Sequence, residues 1–365
     1  MIRLFTTTIS KESKKLVRES LDTTFISAGK KAEEFEKLLK TYGLKRIVSV
    51  NSGTSALHLA LAAAGVNYGD EVILPSQTFI SSGLSIFYQN AKPVFVDINY
   101  MSGNIDHRNI EEKITNKTKV IMVVHWGGYP CDMDEILNIA RKYNLIVIED
   151  ASHAFGAIYK NKPIGSISDY TCFSFQAIKM LTTGDGGAVC SLNDEDEKKL
   201  KKLRWFDIDR DEDIPDLRGE RIYNAKQIGY KYHMNDIAAC IGIGNLKEIH
   251  IKLLRHQRIA ERYRNELKNI GGIKLFETST HKTSSHWLFG FHVEERNNFI
   301  KKLKDNNITS SIVHIGIDKN EIFGGKDMSL INQRKFDETQ IHIPIHSDLN
   351  DEEITHIINT IKDGW

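Results

Sequence analysis

Four short segments of almost unbroken apolar character leave this chain few folds to adopt. Ile47–Val50, Glu71–Leu74, Lys119–Trp126 and Leu145–Asp150 each read as a buried strand, and Pro93–Ile98 adds a fifth. Helical stretches separate them. Ala56–Ala64 is closed by Gly65, and Ser76-Gln77-Thr78-Phe79 opens a helix running to Phe87. Asp132 with Glu135 three residues on has the pattern of a capping box for the next helix. Strands apolar on both sides must be covered on both faces, and helices between them supply that cover. The expectation is therefore an α/β fold with a mostly parallel central sheet and helices on both faces. In such sheets ligands collect beyond the carboxyl ends of the strands.

Further along, the turn Gly184–Gly187 leads into a strand, Ala188–Leu192, and Glu195–Arg204 reads as a charged helix. Asp207–Glu220 is acidic and irregular, a surface excursion. The polar-aromatic stretch Gly229–Asp236 precedes one long helix with Leu246, Ile249, Leu253, Ala260, Tyr263 and Leu267 on one face. A boundary in that helix divides a large unit, 1–245, from a smaller α+β unit, 246–365. The smaller unit is expected to contain Trp287–Val293, Glu295–Asn306, Ser310–His314, Ile341–Ile345 and Asp351–Ile361 as alternating strands and helices.

With 49 basic and 48 acidic residues the chain carries a net charge of +1, which gives no global attraction for nucleic acid or an anionic membrane. Its 4 cysteines are scattered and form no C-x-x-C pair, so zinc ligation and a disulfide framework are not expected, and a reducing cytoplasm fits. No segment approaches the roughly 20 apolar residues of a membrane span.

Four places carry possible chemistry. Gly53, Thr54 and Ser55 begin a helix directly after a strand, where unpaired backbone N–H groups can cup a phosphate; an ordinary N-cap is the plain alternative. Neither a Walker loop nor a G-x-G-x-x-G fingerprint is present. Phe79 is an aromatic just past a strand end. Asp150 closes a strand, either as a helix N-cap for the segment from Ala151 or as partner to a cationic ligand atom; His153 follows, as a packing or a site residue. Lys179 sits among Phe173, Phe175, Ile178, Met180 and Leu181. Desolvation there would depress its pKa and free an amine able to form a Schiff base, whereas a solvated lysine beside a turn is the plain alternative. One small molecule uses all four places. Pyridoxal 5′-phosphate (PLP) has a phosphate, a flat ring, a ring nitrogen that works best protonated and an aldehyde that condenses with lysine.

The segments Asn51-Ser52-Gly53-Thr54-Ser55-Ala56-Leu57-His58, Gly69-Asp70-Glu71-Val72-Ile73, Ile148-Glu149-Asp150-Ala151-Ser152-His153-Ala154 and Phe173 through Val189 resemble the motifs of the DegT/DnrJ-type sugar aminotransferases. The likeness runs from about Phe25 to nearly the C-terminus. It implies a fold-type-I PLP-dependent transferase, cytoplasmic and homodimeric, with each site built from both subunits. Glutamate would supply the amino group and a nucleotide-linked keto-sugar would accept it. By position, Lys179 would be the Schiff-base lysine and Asp150 the partner of the pyridine nitrogen. His153 would lie beside the ring hydroxyl and Phe79 would stack on the ring. Gly53, Thr54 and Ser174 would surround the phosphate.

The chain also departs from the family pattern. Where Gly-Tyr-Asn-Tyr-Arg-Met is common, Lys231 and His233 replace the asparagine and arginine, so Lys231 would meet the phosphate as a point charge. Gln176 stands where many relatives have histidine, and a glutamine there also occurs in relatives that aminate cyclitols. Gln176, Tyr230, His233 and His314 are candidates for the substrate side, with the stretch around His314, Gly316 and Asp318 as its wall. Some relatives carry histidine in place of the lysine and dehydrate their substrate; Lys179 favours transamination. The flanks of Lys179 look closer to enzymes acting at C-4 than at C-3 of a hexose. Cyclitol or small phosphorylated-ketone acceptors, a dehydratase and a non-catalytic PLP-binding protein are the other readings.

Overall fold

Alternate residues of the inner strands face opposite ways, and both directions are apolar, so the sheet must be buried on two sides. The computed structural model describes residues 1–210, 212–213 and 215–365; Asp211 and Ile214, in the acidic excursion, lie outside the described residues. In chain order come α1 (Lys11–Asp22), α2 (Lys30–Lys40), β1 (Ile47–Val50), α3 (Gly53–Ala63), β2 (Glu71–Pro75), α4 (Ile80–Tyr88) and β3 (Lys92–Val96). There follow β4 (Thr118–Val124), α5 (Met133–Tyr143), β5 (Ile146–Asp150), β6 (Ile158–Tyr159), β7 (Lys162–Pro163), β8 (Tyr170–Ser174) and β9 (Gly187–Ser191). Then come α6 (Asp194–Leu203), α7 (Asp236–Leu246) and α8 (Ile249–Leu267).

Seven strands form one sheet in the order β1-β9-β8-β5-β4-β2-β3. Neighbours from β3 through β8 are parallel, whereas β9 runs antiparallel to both β8 and β1. Ile47, Ile73, Ile121 and Val147 join the layer of α1, α2, α5 and α7 around Leu16, Phe35, Ile136 and Ile243. Val48, Leu74, Met122 and Ile148 join the opposite layer, with Leu57, Ile86 and Leu200 of α3, α4 and α6. The period of two thus separates two cores, and the sheet with its double cover is as the sequence predicts.

The chain continues with β10 (Ile273–Leu275), β11 (Lys282–Thr283), β12 (Phe289–Val293), α9 (Arg296–Asp305), α10 (Ile331–Thr339), β13 (Gln340–Ile343) and α11 (Asp351–Lys362). β10, β12 and β13 make an antiparallel sheet. It packs through Phe291, Ile341 and Ile343 on Tyr263, Phe299 and Ile357 of the flanking helices.

Several local expectations are corrected. Asp132 does not cap α5 with its side chain; it bonds Lys282 Nζ at 2.7 Å, because an ammonium from β11 competes successfully for the carboxylate. The long helix is two helices, α7 and α8, interrupted at Lys247 and Glu248. Ser310–His314 makes a single bridge, Ser311 to His342, and is no strand: Val313 has φ +57°, which breaks an extended run. No helix starts at Ala151, and α10 has no counterpart in the sequence-based expectations.

Helix α2 shows how the layers are tied. Its N-cap is Gly29, which has no side chain to offer. Asp236, on α7, fills the role from outside by accepting the amides of Gly29 (2.9 Å), Ala32 (3.0 Å) and Lys31 (3.3 Å). Asp236→Ala should cost about 3 kcal/mol, the sum of a lost cap and orphaned buried donors, as a lower urea midpoint with an unchanged m-value.

Candidate active site

The sheet delivers its chemistry to one edge. Val50 pairs with Gly187 and Gly187 with Ser174, so the ends of β1 and β8 lie on either side of the start of β9. The end of β5, Asp150, pairs with Cys172 of β8. The loop from β8 to β9 must return the chain on this same edge, and it carries Lys179.

Asp150 is buried. One carboxylate oxygen accepts the Ser82 hydroxyl at 2.7 Å and the other the Ser152 amide at 3.1 Å. It therefore caps no helix; two donors hold it in a fixed orientation. Its sheet neighbour Glu149 points to the other face, where burial pushes its pKa up and bonds from His125 (2.7 Å), Ser168 (2.5 Å) and Thr171 (2.8 Å) hold it below the usual carboxylate range.

Lys179 keeps some exposed surface but is densely surrounded, and its amine lies 3.9 Å from the centroid of Trp287. Desolvation lowers its pKa from 10.5 to about 8, against the opposing pull of Asp150. Trp287 is itself fixed: its indole N–H donates to the Ile178 carbonyl at 2.8 Å, and its ring stacks on His153 at 3.9 Å. His153 is buried, and its Nδ1 has no hydrogen-bond partner among the described residues. Burial, and then the Lys179 charge, hold its pKa well below the ordinary histidine value, so the ring is neutral.

At the start of α3, Ser52 is the N-cap and accepts the Ser55 amide at 3.1 Å, while the Ser55 hydroxyl bonds Asn51 at 2.5 Å. Both polar groups of Ser55 are thus engaged within the turn. The amides of Gly53 and Thr54 have no partner among the described residues. A Cβ on Gly53 would sit 2.7 Å from Ser174 Cβ, so glycine is what lets the helix start approach the Ser174 hydroxyl. Phe79, half exposed, stands 5.2 Å from His314, which lies 6.5 Å from His153. The His314 pKa is pushed down to about 4 by burial and then by Lys179.

Other expected residues are not gathered here within one chain. Tyr230 packs at 4.6 Å on His58 and accepts from Gln89 at 3.0 Å, on the far side of α3. Lys231 is exposed, with its carbonyl near Asn51 Nδ2 at 3.4 Å. His233 lies against Trp205 at 4.3 Å, beside Arg204 and Arg210. Gln176 is exposed, its amide oxygen accepting the Ile178 amide at 3.1 Å. Asp318, expected on the substrate wall, is buried and paired with Arg334.

Two residues at the site were not read as site residues from the sequence. Ser82 could have been found, since a hydroxyl one turn into a helix that leaves a strand end can reach the adjacent strand's end. Trp287 could not, because it reaches the amine from a segment far along the chain. Together the set fits PLP: unpaired amides and a hydroxyl for the phosphate, an orphaned imidazole nitrogen for a ring hydroxyl, and an oriented carboxylate for a protonated ring nitrogen. An exposed aromatic face and a depressed lysine complete it.

Among α/β folds this arrangement is that of the fold-type-I transferases that work with PLP. The chain belongs to the DegT/DnrJ/EryC1/StrS aminotransferase family, whose profile matches residues 7–362, and it is an aminotransferase. It is 42% identical to a GDP-perosamine synthase of Caulobacter vibrioides over 70% of this chain and 67% of that one. It is 32% identical to a UDP-4-amino-4-deoxy-L-arabinose–oxoglutarate aminotransferase of Shewanella sediminis, over 95% of this chain and 94% of the relative. The crystal structure of the sugar aminotransferase CalS13 from Micromonospora echinospora superposes with a TM-score of 0.95 at 30% identity, covering 100% of both chains.

The depressed amine has a measurable consequence. Its folded-state value lies below the unfolded one, so the charged form costs stability below about pH 8, and that cost lifts as pH rises toward 10.5. In cofactor-free protein, competitive acetylation of Lys179 read by mass spectrometry should show a midpoint near 8. Asp150→Asn should lower that midpoint, because the carboxylate's attraction is what raises it.

Proposed function

We propose that this chain moves an amino group from glutamate to the keto carbon of a nucleotide-linked deoxysugar, with C-4 favoured, and uses PLP attached through Lys179. The observation that carries the reading is the desolvated Lys179 amine on the same sheet edge as the fixed Asp150 carboxylate. When bound, the cofactor supplies an aldehyde that condenses with amines and a ring that stores an electron pair. Asp150, held by Ser82 and Ser152, would keep a proton on the ring nitrogen through a charge-assisted bond. The unpartnered Nδ1 of neutral His153 would serve the ring hydroxyl. Gly53, Thr54 and Ser174 would hold the phosphate, and Phe79 would cover a ring face. Lys179, with a pKa near 8, can give and take a proton close to neutral pH, as a shuttle at the substrate carbon must.

Support for this choice of acceptor and donor comes from the relatives named above: one is a GDP-perosamine synthase, and the other works between a 4-amino sugar and oxoglutarate, the keto form of glutamate. One pocket then serves donor and acceptor in turn, which is ping-pong chemistry. We place the enzyme in the cytoplasm, as a homodimer. Support for two subunits comes from Tyr230, Lys231 and His233, which do not reach Lys179 of their own chain. Exposed Ile222, Tyr223 and Ile228 lie just before them, and exposed Phe25 and Ile26 lie on a second segment. A second copy would bring Lys231 to the phosphate.

Purified protein reconstituted with PLP should be yellow; glutamate should bleach the visible band while 2-oxoglutarate appears, and a panel of nucleotide-linked keto-sugars should restore it, with the amino product read by mass spectrometry. Lys179→Ala should lose the borohydride-trapped covalent adduct and on the order of 10²–10⁴ in rate. Asp150→Ala should hold PLP poorly. A protein that stays colourless and releases no 2-oxoglutarate overturns the reading.

A further inference from the structure

The segment 313–318 carries His314 to the site in a conformation that its own sequence disfavours. Val313 is β-branched and has φ +57°, a strained value that persists only where the surroundings impose it. What imposes it is a set of buried polar groups drawn from distant parts of the chain. Ser76 and Gln77 directly follow β2, three and two residues before Phe79. The Ser76 hydroxyl donates to Asp318, accepts the Asp318 amide at 3.1 Å, and the Ser76 carbonyl accepts the Ile317 amide at 3.0 Å. Arg334, on α10, donates to the same Asp318 oxygen at 2.7 Å, and the other Asp318 oxygen accepts the Asp327 amide at 2.8 Å.

A second layer holds the backbone of His314 itself. Its carbonyl accepts from Gln77 at 3.0 Å and from Gln340 at 2.7 Å. Gln333 bridges Gln77 (2.7 Å) to Asp337 (2.8 Å), and Asp337 takes the Gly316 amide at 2.9 Å. A Cβ on Gly316 would lie 2.5 Å from Asp318, 2.7 Å from Arg334 and 2.8 Å from Ser76, so the clamp closes around a residue that can only be glycine. Ser76, Gln77, Asp318, Gln333, Arg334 and Gln340 are all buried, and none of these contacts touches Lys179, Asp150 or the start of α3. The network is buried and densely bonded, with Gln333 Oε1, Arg334 Nε and Gln340 Oε1 left without a partner among the described residues, and losing one member orphans further groups.

We propose that Ser76, Asp318 and Arg334 are positioning residues for the acceptor: their clamp holds His314 in ring contact with Phe79 and so fixes the wall that these two rings present to a keto-sugar. The inference rests on the aminotransfer reading above and specifies where that site tells its acceptor from its donor. Glutamate is small, and its half-reaction needs Lys179, Asp150 and the phosphate cup, which the clamp leaves alone. The bulkier sugar has to seat against the paired Phe79 and His314 rings, so its fit depends on where the clamp holds them.

The test compares PLP-loaded wild type, Asp318→Asn and the milder Ser76→Ala in separated half-reactions. Asp318→Asn keeps the shape but removes the charge that Arg334 pairs with; Ser76→Ala removes one link between distant segments. Thermal melts and PLP content identify any variant that fails to fold, in which case Ser76→Ala alone decides. The acceptor is whichever panel sugar the wild type aminates best. The expected result is an acceptor KM raised at least tenfold in Asp318→Asn and several-fold in Ser76→Ala, with the glutamate half-reaction within about twofold of wild type. Parallel losses in both half-reactions would mean a merely structural role, and an unchanged acceptor KM would mean no role; either overturns the proposal. A wild type that is bleached by glutamate but discharges to no keto-sugar also overturns it, while leaving the donor half of the aminotransfer reading intact. A wild type that glutamate does not bleach fails one step earlier and counts against the aminotransfer reading itself.

Discussion

β9 runs against both of its neighbours, and the geometry of the site depends on that reversal. Because β8 ends at the edge where β9 begins, the connection between them cannot cross the sheet; it must fold back over the carboxyl ends of the strands. Lys179 rides on that connection. Parallel pairing of β8 and β9 would require a crossover, and the lysine would lose its place over Asp150. The same strand brings Gly187 between Val50 and Ser174, which sets the start of α3 beside the Ser174 hydroxyl.

The second contribution comes from burial without charge. His153 and His314 lie close enough to feel the amine's charge, His342 lies close enough to feel His314, and desolvation depresses all three, with His314 near 4 and His342 near 3. At neutral pH they present imidazole rather than imidazolium, so they shape the pocket and offer lone pairs without adding repulsion to the lysine. Trp287, stacked between this histidine wall and the Lys179 amine, completes the enclosure that makes the amine titratable near pH 8.

Much of this was legible in the residues. Fully apolar strands alternating with helices specified a doubly covered sheet, and the segments around Asp150 and Lys179 carried family motifs that local order preserves. Ser55 was read as part of a phosphate cup, yet its amide and hydroxyl are taken by Ser52 and Asn51, a competition visible only in three dimensions. Asp132 with Glu135 looked like a capping box, but Lys282, distant in sequence, offered the carboxylate a charged partner. The long amphipathic pattern from Leu246 to Leu267 kept its period across a break at Lys247 and Glu248, since hydrophobic spacing records which side is buried and not where the backbone bends.

The sequence by itself determined the class of fold, the lysine, the strand-end acid and the glycine at the helix start, because each of these depends on short-range pattern: apolar runs, a turn, a cap. Only the tertiary structure decided what surrounds them. Ser82 on Asp150, Trp287 on Lys179 and the Asp318–Arg334 clamp behind His314 join residues from separate elements, and Asp318 changed from an expected wall residue to a buried one. Such contacts arise from packing one element against another, and no local propensity encodes them.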